Sequence, residues 1–364
     1  MTAAVSLDAV AKRWGETVAV QDITLTAEAG RFLTLLGPSG CGKSTTMRLI
    51  AGLEEASAGT ITIGGRDVTR LPPAKRGVAM VFQSYALFPH LTVRENLLFG
   101  LKIRRVAAAE RQRRLDRVAG LLSIAHLLDR KPAQLSGGQQ QRVALGRALI
   151  SETGICLMDE PLSNLDAQLR NDMRREIRAL QESLGMTMIY VTHDQSEAMS
   201  MSDQVVLMNH GGIEQMGAPA EIYARPASLF AARFIGAAPM DLVPLAGGRI
   251  AGSGEGPAVA PQAAAGSLIL GLRPEDVRLS DGAEGQPAAV AACDYLGADT
   301  LVSCRVGSGD HRLTARLPGH HRLAPETPVR LQWPAAAQHL FDAESGRRRV
   351  EFDAPVAAAR AVPA

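Results

Sequence analysis

The stretch RFLTLLGPSGCGKSTTMRLIAGL, Arg31–Leu53, decides the fold. An apolar run, FLTLL, enters a glycine-rich turn, and TTMRLIAGL leaves it with apolar residues at helical spacing. The turn itself, Gly37, Pro38, Ser39, Gly40, Cys41, Gly42, Lys43, Ser44 and Thr45, matches the phosphate-loop pattern in its required setting between a strand and a helix. Glycines let backbone N–H groups wrap phosphate oxygens, and the helix N-terminus adds about half a positive charge. Lys43 is placed to reach the terminal phosphates and Ser44 to offer its hydroxyl to Mg²⁺. This much implies a nucleoside triphosphate and a parallel α/β sheet.

Outward from that loop, RGVAMVFQ, GICLMDE and MTMIYVTHD repeat the pattern of a short buried strand ending in polar residues. ICLMDE ends in Asp159 and Glu160. Because neighbouring strand residues point opposite ways, one carboxylate is expected to hold Mg²⁺ while the next faces an attacking water. His193 and the neutral Gln83 close two of the other runs and are expected on the same sheet edge. GTITIGGRDV and DQVVLMNHGGIEQMG alternate around glycine turns like antiparallel hairpins.

Bulk properties narrow the field. The chain has 364 residues, enough for two domains, and a formal charge of +2, which disfavours a protein built to grip nucleic acid. No apolar run approaches the roughly 18–20 residues that cross a bilayer, and the N-terminal MTAAVSLDAVAKRWG has no signal-peptide core, so a soluble, cytosolic chain is expected. Its four cysteines are scattered, which suggests neither a zinc site nor a disulfide framework. The basic segment LKIRRVAAAERQRRLDRVAGLL reads as a solvated or partner-facing helix. After Gly236 the composition shifts to Ala, Gly and Pro with short strands, indicating a second, all-β domain over 237–364 with a frayed tail from about residue 354.

A second glycine-rich helix start, LSGGQQQ, begins at Leu135. Ser136 can cap a helix in which Gln139 reaches back, while Gly137 and Gly138 leave the first amides open to an anion. No Lys follows in phosphate-loop register, so this is half of a site, intelligible if it closes over a triphosphate held by another copy.

GPSGCGKST, Gln83, LSGGQ, ICLMDE, SNLD (Ser163–Asp166) and His193, in this order, resemble the ATP-binding subunits of ABC transporters. The resemblance implies a P-loop nucleotide-binding domain over residues 1–236, with a helical subdomain at about 84–150. It implies a homodimer with two ATPs sandwiched head to tail. Trp14 would stack on adenine, a role also consistent with the energy of aromatic–base stacking. Gly37 to Thr45 and Gln83 would bind ATP, and Ser44, Gln83 and Asp159 would attend to Mg²⁺. Glu160 would be the base and His193 the γ-phosphate switch, with Ser136, Gly137, Gly138, Gln139 and Asp166 acting across the dimer. The partners implied are two membrane permease subunits and, indirectly, an extracytoplasmic solute-binding protein, with the chain peripheral at the cytoplasmic face of the membrane.

FIGAAPMDLV, GLRPEDV, LGAD and HLFDAESGRR resemble the OB-like regulatory β-domain of the carbohydrate-importer group, and YLGADTLVSCRV is most similar to ATPases serving sn-glycerol 3-phosphate import. Importers of maltose and other sugars have similar tails, so the cargo for this chain stays open between glycerol 3-phosphate and sugars. An ABC ATPase serving DNA repair or translation would carry a long coiled-coil insertion or a fused second cassette, and this sequence has neither. A small-molecule kinase would leave LSGGQ and the β-tail unexplained. ESGRRRVEFDAPVAAARAVPA extends past the usual end of the group.

Overall fold

A computed structural model describes residues 2–259, 268–280, 282–307 and 309–352; the tail from residue 354 lies outside the described residues. The chain divides into two compact units, Met1–Ala220 and Glu221–Ala364.

In the first unit the central sheet contains β3 (Phe32–Leu36), β6 (Val78–Val81), β7 (Ile155–Asp159), β8 (Thr187–Thr192), β9 (Gln204–Asn209) and β10 (Gly212–Gly217), in the order β10-β9-β3-β8-β7-β6. All neighbours are parallel except the β9–β10 hairpin. The strands are apolar throughout because both faces are covered. Along β7, Cys156 and Met158 face one core while Ile155 and Leu157 face the other, and β8 divides Met188 and Tyr190 from Ile189 and Val191 in the same way.

One core is roofed by α2 (Val93–Ile103), α3 (Ala108–Leu121), α4 (Gly137–Leu149) and α5 (Ala167–Leu184). The other lies under α1 (Lys43–Ala51) and an antiparallel sheet of β1 (Val5–Trp14), β2 (Thr17–Ala27), β4 (Ala58–Ile63) and β5 (Arg66–Asp67). A short α6 (Gln195–Met201) follows β8.

The basic segment 101–122 is two helices rather than one. Arg105 takes a left-handed conformation (φ 56°) between α2 and α3, and Val106 N–H returns to the Leu101 carbonyl. Part of its charge is met by carboxylates: Arg113 and Arg114 pair with Glu110, and Arg114 and Arg117 with Glu152.

α7 (Pro219–Ala224), which begins just before the division, and α8 (Leu229–Phe234) lead into two antiparallel sheets of the second unit. One holds β11 (Asp241–Ala246), β12 (Arg249–Ile250), β13 (Leu268–Leu272) and β19 (His339–Asp342). The other holds β14 (Arg278–Ser280), β15 (Gln286–Tyr295), β16 (Asp299–Val306), β17 (Arg312–Pro318) and β18 (Pro328–Gln332). They share one core, with Val243, Leu245 and Leu270 from the first and Val290, Val302 and Leu331 from the second.

The division at residue 220 falls earlier than the composition shift after Gly236 suggests. The reason is Arg273 of GLRPEDV, which is buried over the Tyr223 ring and donates to the Tyr223 and Ile235 carbonyls, binding the α7–α8 segment to the β-sheets. The start of the C-terminal extension also has a structural task. Gly346 carbonyl accepts from Leu229 N–H, and Arg348 N–H donates to the Ala227 carbonyl.

A single arginine secures the helix behind the phosphate loop. Arg76, 5% exposed, donates to the Leu49 and Ile50 carbonyls at the C-terminus of α1 and to the Thr69 and Leu71 carbonyls. A cation at that end also complements the helix dipole. Gly52 gives it room, since a Cβ there would lie 2.4 Å from Arg76 Nε and φ is 76°. Arg76→Ala is expected to destabilise the fold by about 3 kcal/mol through buried carbonyls left without a donor, measured by urea unfolding. Gly52→Ala should move stability in the same direction, and an unchanged midpoint for both would refute this account.

Candidate functional site

The parallel strands deliver their C-terminal ends to one edge. β3 runs into Gly37–Thr45, β6 toward Gln83, β7 into Asp159 and Glu160, and β8 into His193. An open parallel sheet places its ligand there.

The phosphate loop is built on positive-φ glycines. Gly37, Gly40 and Gly42 have φ of 157°, 80° and 101°. A Cβ on Gly37 would sit 2.4 Å from the Met208 carbonyl oxygen, and one on Gly42 2.7 Å from that of Ala19, so the backbone closes to a radius that no side chain permits. At Gly40 the same position opens onto free space. The Lys43 ammonium is buried and bonded to the Gly37 and Pro38 carbonyls at 2.8 and 2.9 Å, on the inner side of the loop. Cys41 lies beneath it, its thiol pushed up by burial and partly restored by Lys43.

Ser44 Oγ donates to Asp159 Oδ1 at 2.8 Å, joining the loop to the end of β7. A hydroxyl and a carboxylate at that spacing fit Mg²⁺, which takes one or two protein oxygens and completes its shell with phosphate and water. Among the described residues no cluster of three or more His, Cys, Asp or Glu forms an all-protein cage. A protein cage is not what a phosphate-bound Mg²⁺ requires.

Glu160 corrects the strand argument. It lies beyond β7 with φ 45°, its N–H donating to the Val191 carbonyl, so a left-handed turn and not strand alternation parts it from Asp159. Its Oε2 stands 3.2 Å from His193 Nδ1. The His193 ring is half-exposed, and the pair opens outward from the edge. Gln83 also lies past its strand; Nε2 donates to Ser163 Oγ at 3.3 Å, and Asn164 Nδ2 donates to its carbonyl, bringing SNLD against it.

Trp14, at the end of β1, is 48% exposed with the Lys12 ammonium 5.4 Å from its ring, which removes it from the core. At the second glycine pair, Gln139 N–H donates to Ser136 Oγ and Ser136 N–H to Gln139 Oε1, forming the full capping box. Cβ positions on Gly137 and Gly138 would meet Leu165 and Leu169, so α4 is seated on the start of α5, which Asp166 caps through Leu169 N–H. Among the described residues no hydrogen bond links Ser136–Gln139 to the phosphate loop of the same chain.

Two groups escaped the motif reading. Glu197, 3% exposed, accepts from Tyr190 OH at 2.9 Å and Thr192 Oγ at 2.6 Å, and Thr192 Oγ accepts from Asp194 N–H, so the turn carrying His193 is gripped from beneath. Burial raises the Glu197 carboxyl above its ordinary value despite those donors. Asp194 is also partly buried, but donors on Ser196 and Glu197 hold it below the usual range. Only an exact pairing of residues on β8 and α6 reveals this network, and a local sequence pattern does not carry it.

A strand-bound phosphate loop, a carboxylate facing its serine and a glutamate–histidine pair on the same edge define a P-loop nucleoside triphosphatase. The ABC transporter family model matches residues 20–163 and the TOBE domain model residues 270–341. The chain is 46% identical to an sn-glycerol-3-phosphate import ATP-binding protein of Ruegeria pomeroyi, over 96% of this chain and 100% of that one. It is also 46% identical to a sulfoquinovosyl glycerol transport ATP-binding protein of Agrobacterium fabrum, over 95% and 99% respectively. Among solved structures, a dimeric bacterial ABC transporter cassette, MJ0796, matches with 30% identity and a TM-score of 0.54, covering 59% of this chain and 98% of that one. The structure of cbiO1 from Clostridium perfringens, part of the ABC transporter complex cbiONQ, matches with 27% identity and a TM-score of 0.57 over 60% and 90%. This chain belongs to the ABC transporter family, as an ATP-hydrolysing subunit.

The raised Glu197 carboxyl has a signed consequence. The folded chain holds that proton more tightly than the unfolded one, so this contribution to stability is fullest below about pH 4.5 and declines as pH rises through the raised value. The melting temperature of wild type relative to Glu197→Gln is therefore expected to fall between pH 4 and 7. A difference that is flat across that range would show that Glu197 is not held in this way.

Proposed function

We propose that the chain is the energy-coupling ATPase of an importer, working as a homodimer in which the phosphate loop of one copy and LSGGQ of the other enclose each ATP. The observation that carries this is the division of labour within one chain. Gly37–Thr45, Asp159, Glu160 and His193 share an edge, whereas the capped N-terminus of α4 belongs to a different set of contacts around Leu165 and Leu169. Each half has what the other lacks.

In this reading Trp14 stacks the base, backbone amides of the loop hold the phosphates, and Lys43 swings its ammonium from the Gly37 and Pro38 carbonyls to the terminal phosphates. Ser44, Asp159 and Gln83 would hold Mg²⁺, which would supply neutralisation of phosphate charge. Glu160 accepts the proton of the attacking water, a contribution of roughly 10²–10⁴ in rate. His193 reads the γ-phosphate while its Nδ1 keeps Glu160 aimed. Ser136 to Gln139 and Asp166 act on the partner's ATP.

Closure is passed on through the helical segment beside Gln83. A groove of about 480 Å³ runs there between β6 and α2, lined by Phe82, Phe88, Leu97, Phe99 and Arg147. Arg147 holds its rim by donating to the Tyr85 and Ala86 carbonyls. It suits an apolar segment of a membrane subunit, and it falls on YALFPHLTVRENL. No helix among the described residues is long and apolar enough to cross a membrane, so the pore is assigned to separate permease chains, with this subunit docked on their cytoplasmic side.

The cargo assigned is sn-glycerol 3-phosphate, on the resemblance of YLGADTLVSCRV and the names of relatives at 46–48% identity over nearly the whole chain. A relative named for sulfoquinovosyl glycerol stands at the same identity, so other glycosides or sugars are the alternative.

Glu160→Gln should trap an ATP-bound dimer with hydrolysis reduced at least a hundredfold. A monomer by light scattering under saturating ATP would defeat the two-half-site reading. In mixed dimers, Ser136→Arg in one copy should silence the site whose Lys43 belongs to the other, seen by pairing it with Lys43→Ala on either chain. Uptake into vesicles holding the whole importer should favour labelled glycerol 3-phosphate over maltose; uptake of sugar alone would overturn the cargo and leave the ATPase intact.

A further inference from the structure

One side chain connects the turn that reads the cis nucleotide with the turn assigned to the partner's nucleotide. Arg170, in the first turns of α5, places Nη1 3.4 Å from Asp194 Oδ2 and donates from Nη2 to the Leu165 carbonyl at 3.1 Å. Asp194 follows His193, and Leu165 precedes Asp166. The guanidinium is thus held between the SNLD turn and the switch turn, with about a third of the side chain exposed. Its Nε is buried and has no hydrogen-bond partner among the described residues.

Both ends of this link are anchored. Asp194 Oδ1 caps α6 by accepting from the Ser196 and Glu197 amides, and Asp194 N–H is bound to Thr192 Oγ. Asp166 caps α5 through Leu169 N–H, and Leu169 is the residue against which Gly138 of the second glycine pair packs. One turn further along α5, Arg174 donates to Ser196 Oγ, so two arginines face the first turn of α6, and of these only Arg170 also reaches the SNLD turn. A displacement of His193 therefore pulls on a charged, two-ended tie whose other end carries the trans residues.

We propose that Arg170 is a positioning residue that transmits the state of His193 to Leu165–Asp166, and so sets the partner's site according to the nucleotide in this one. This rests on the dimer reading above. The tie needs a planar fork with two donors at fixed spacing, which lysine lacks. It is a contiguous physical contact between two turns rather than a matter of proximity alone.

The test is a double-mutant cycle on ATP turnover by the full-length chain. Arg170→Ala and Asp194→Asn, the latter keeping the helix cap, are each expected to lower kcat about tenfold with KM for ATP within about twofold, and the double variant no further. Arg170→Lys should be as slow as Arg170→Ala while melting within about 2 °C of wild type, which separates a lost tie from a lost fold. The trans effect is read in mixed dimers. A copy carrying both Arg170→Ala and Lys43→Ala should slow its wild-type partner severalfold relative to a copy carrying Lys43→Ala alone. Additive losses in the cycle, an unchanged kcat, or a partner site untouched by Arg170→Ala would each overturn the proposal. His193→Ala and Asp166→Ala serve as controls: if turnover survives both, the dimer reading itself has failed, and if it does not while Arg170→Ala is silent, only the tie has.

Discussion

The register of the parallel strands is the constraint on which every other part of the site depends. Leu36 pairs with Thr192 and Asp159 with Val191, so the phosphate loop, the carboxylates and His193 leave the sheet at neighbouring positions on one edge. A slip of one residue would exchange the two faces of a strand, moving Met158 and Tyr190 out of one core and Leu157 and Ile189 out of the other. With both faces buried, no such slip is tolerated. The geometry of that edge is therefore stabilised by the same apolar contacts that hold the domain together.

The sequence exposes this sheet because strands buried on both faces are apolar without interruption and stop abruptly at glycine or charge. FLTLL and ICLMD are readable for that reason, as is the capping box at Ser136, which closes within a few residues. What local pattern cannot carry is a decision made by a distant partner. Glu160 turns out of its strand at φ 45° while its N–H still bonds the Val191 carbonyl of the neighbouring strand, and the unit boundary moves because Arg273 reaches back to Tyr223 and Ile235. The break at Arg105 depends on packing of α3 that helical spacing does not record. The buried Glu197 and the Arg170 link are likewise polar pairings between separate elements, invisible to composition or period.

The two glycine-rich helix starts differ in how they are made ready. In the phosphate loop residues with no Cβ let the backbone close tightly, and the Lys43 ammonium donates to carbonyls on its inner side. At LSGGQ the helix start is completed by its own side chains, Ser136 and Gln139, so the free amides of Gly137 and Gly138 are held in place before any ligand arrives. The first is a cradle that surrounds an anion, and the second a flat positive end that can only cover one. In the proposed dimer neither geometry serves alone for an ATP that must be bound, shielded from water and released.

That asymmetry also says where movement is useful. α4 rests on α5 through Gly138 and Leu169, so the covering end and Asp166 form one piece, while His193 and Glu160 belong to the sheet edge. In the proposed dimer a change at the γ-phosphate can matter to the other copy only if it crosses from the edge to that piece. Between Asp194 and Leu165 the crossing is a charged fork shared by two turns, and a fork of this kind has few arrangements in which both ends stay bonded. Losing either end leaves a partly buried charge or carbonyl short of a partner, which makes intermediate positions costly. The link is thereby suited to switching between discrete states, as the proposed dimer cycle requires.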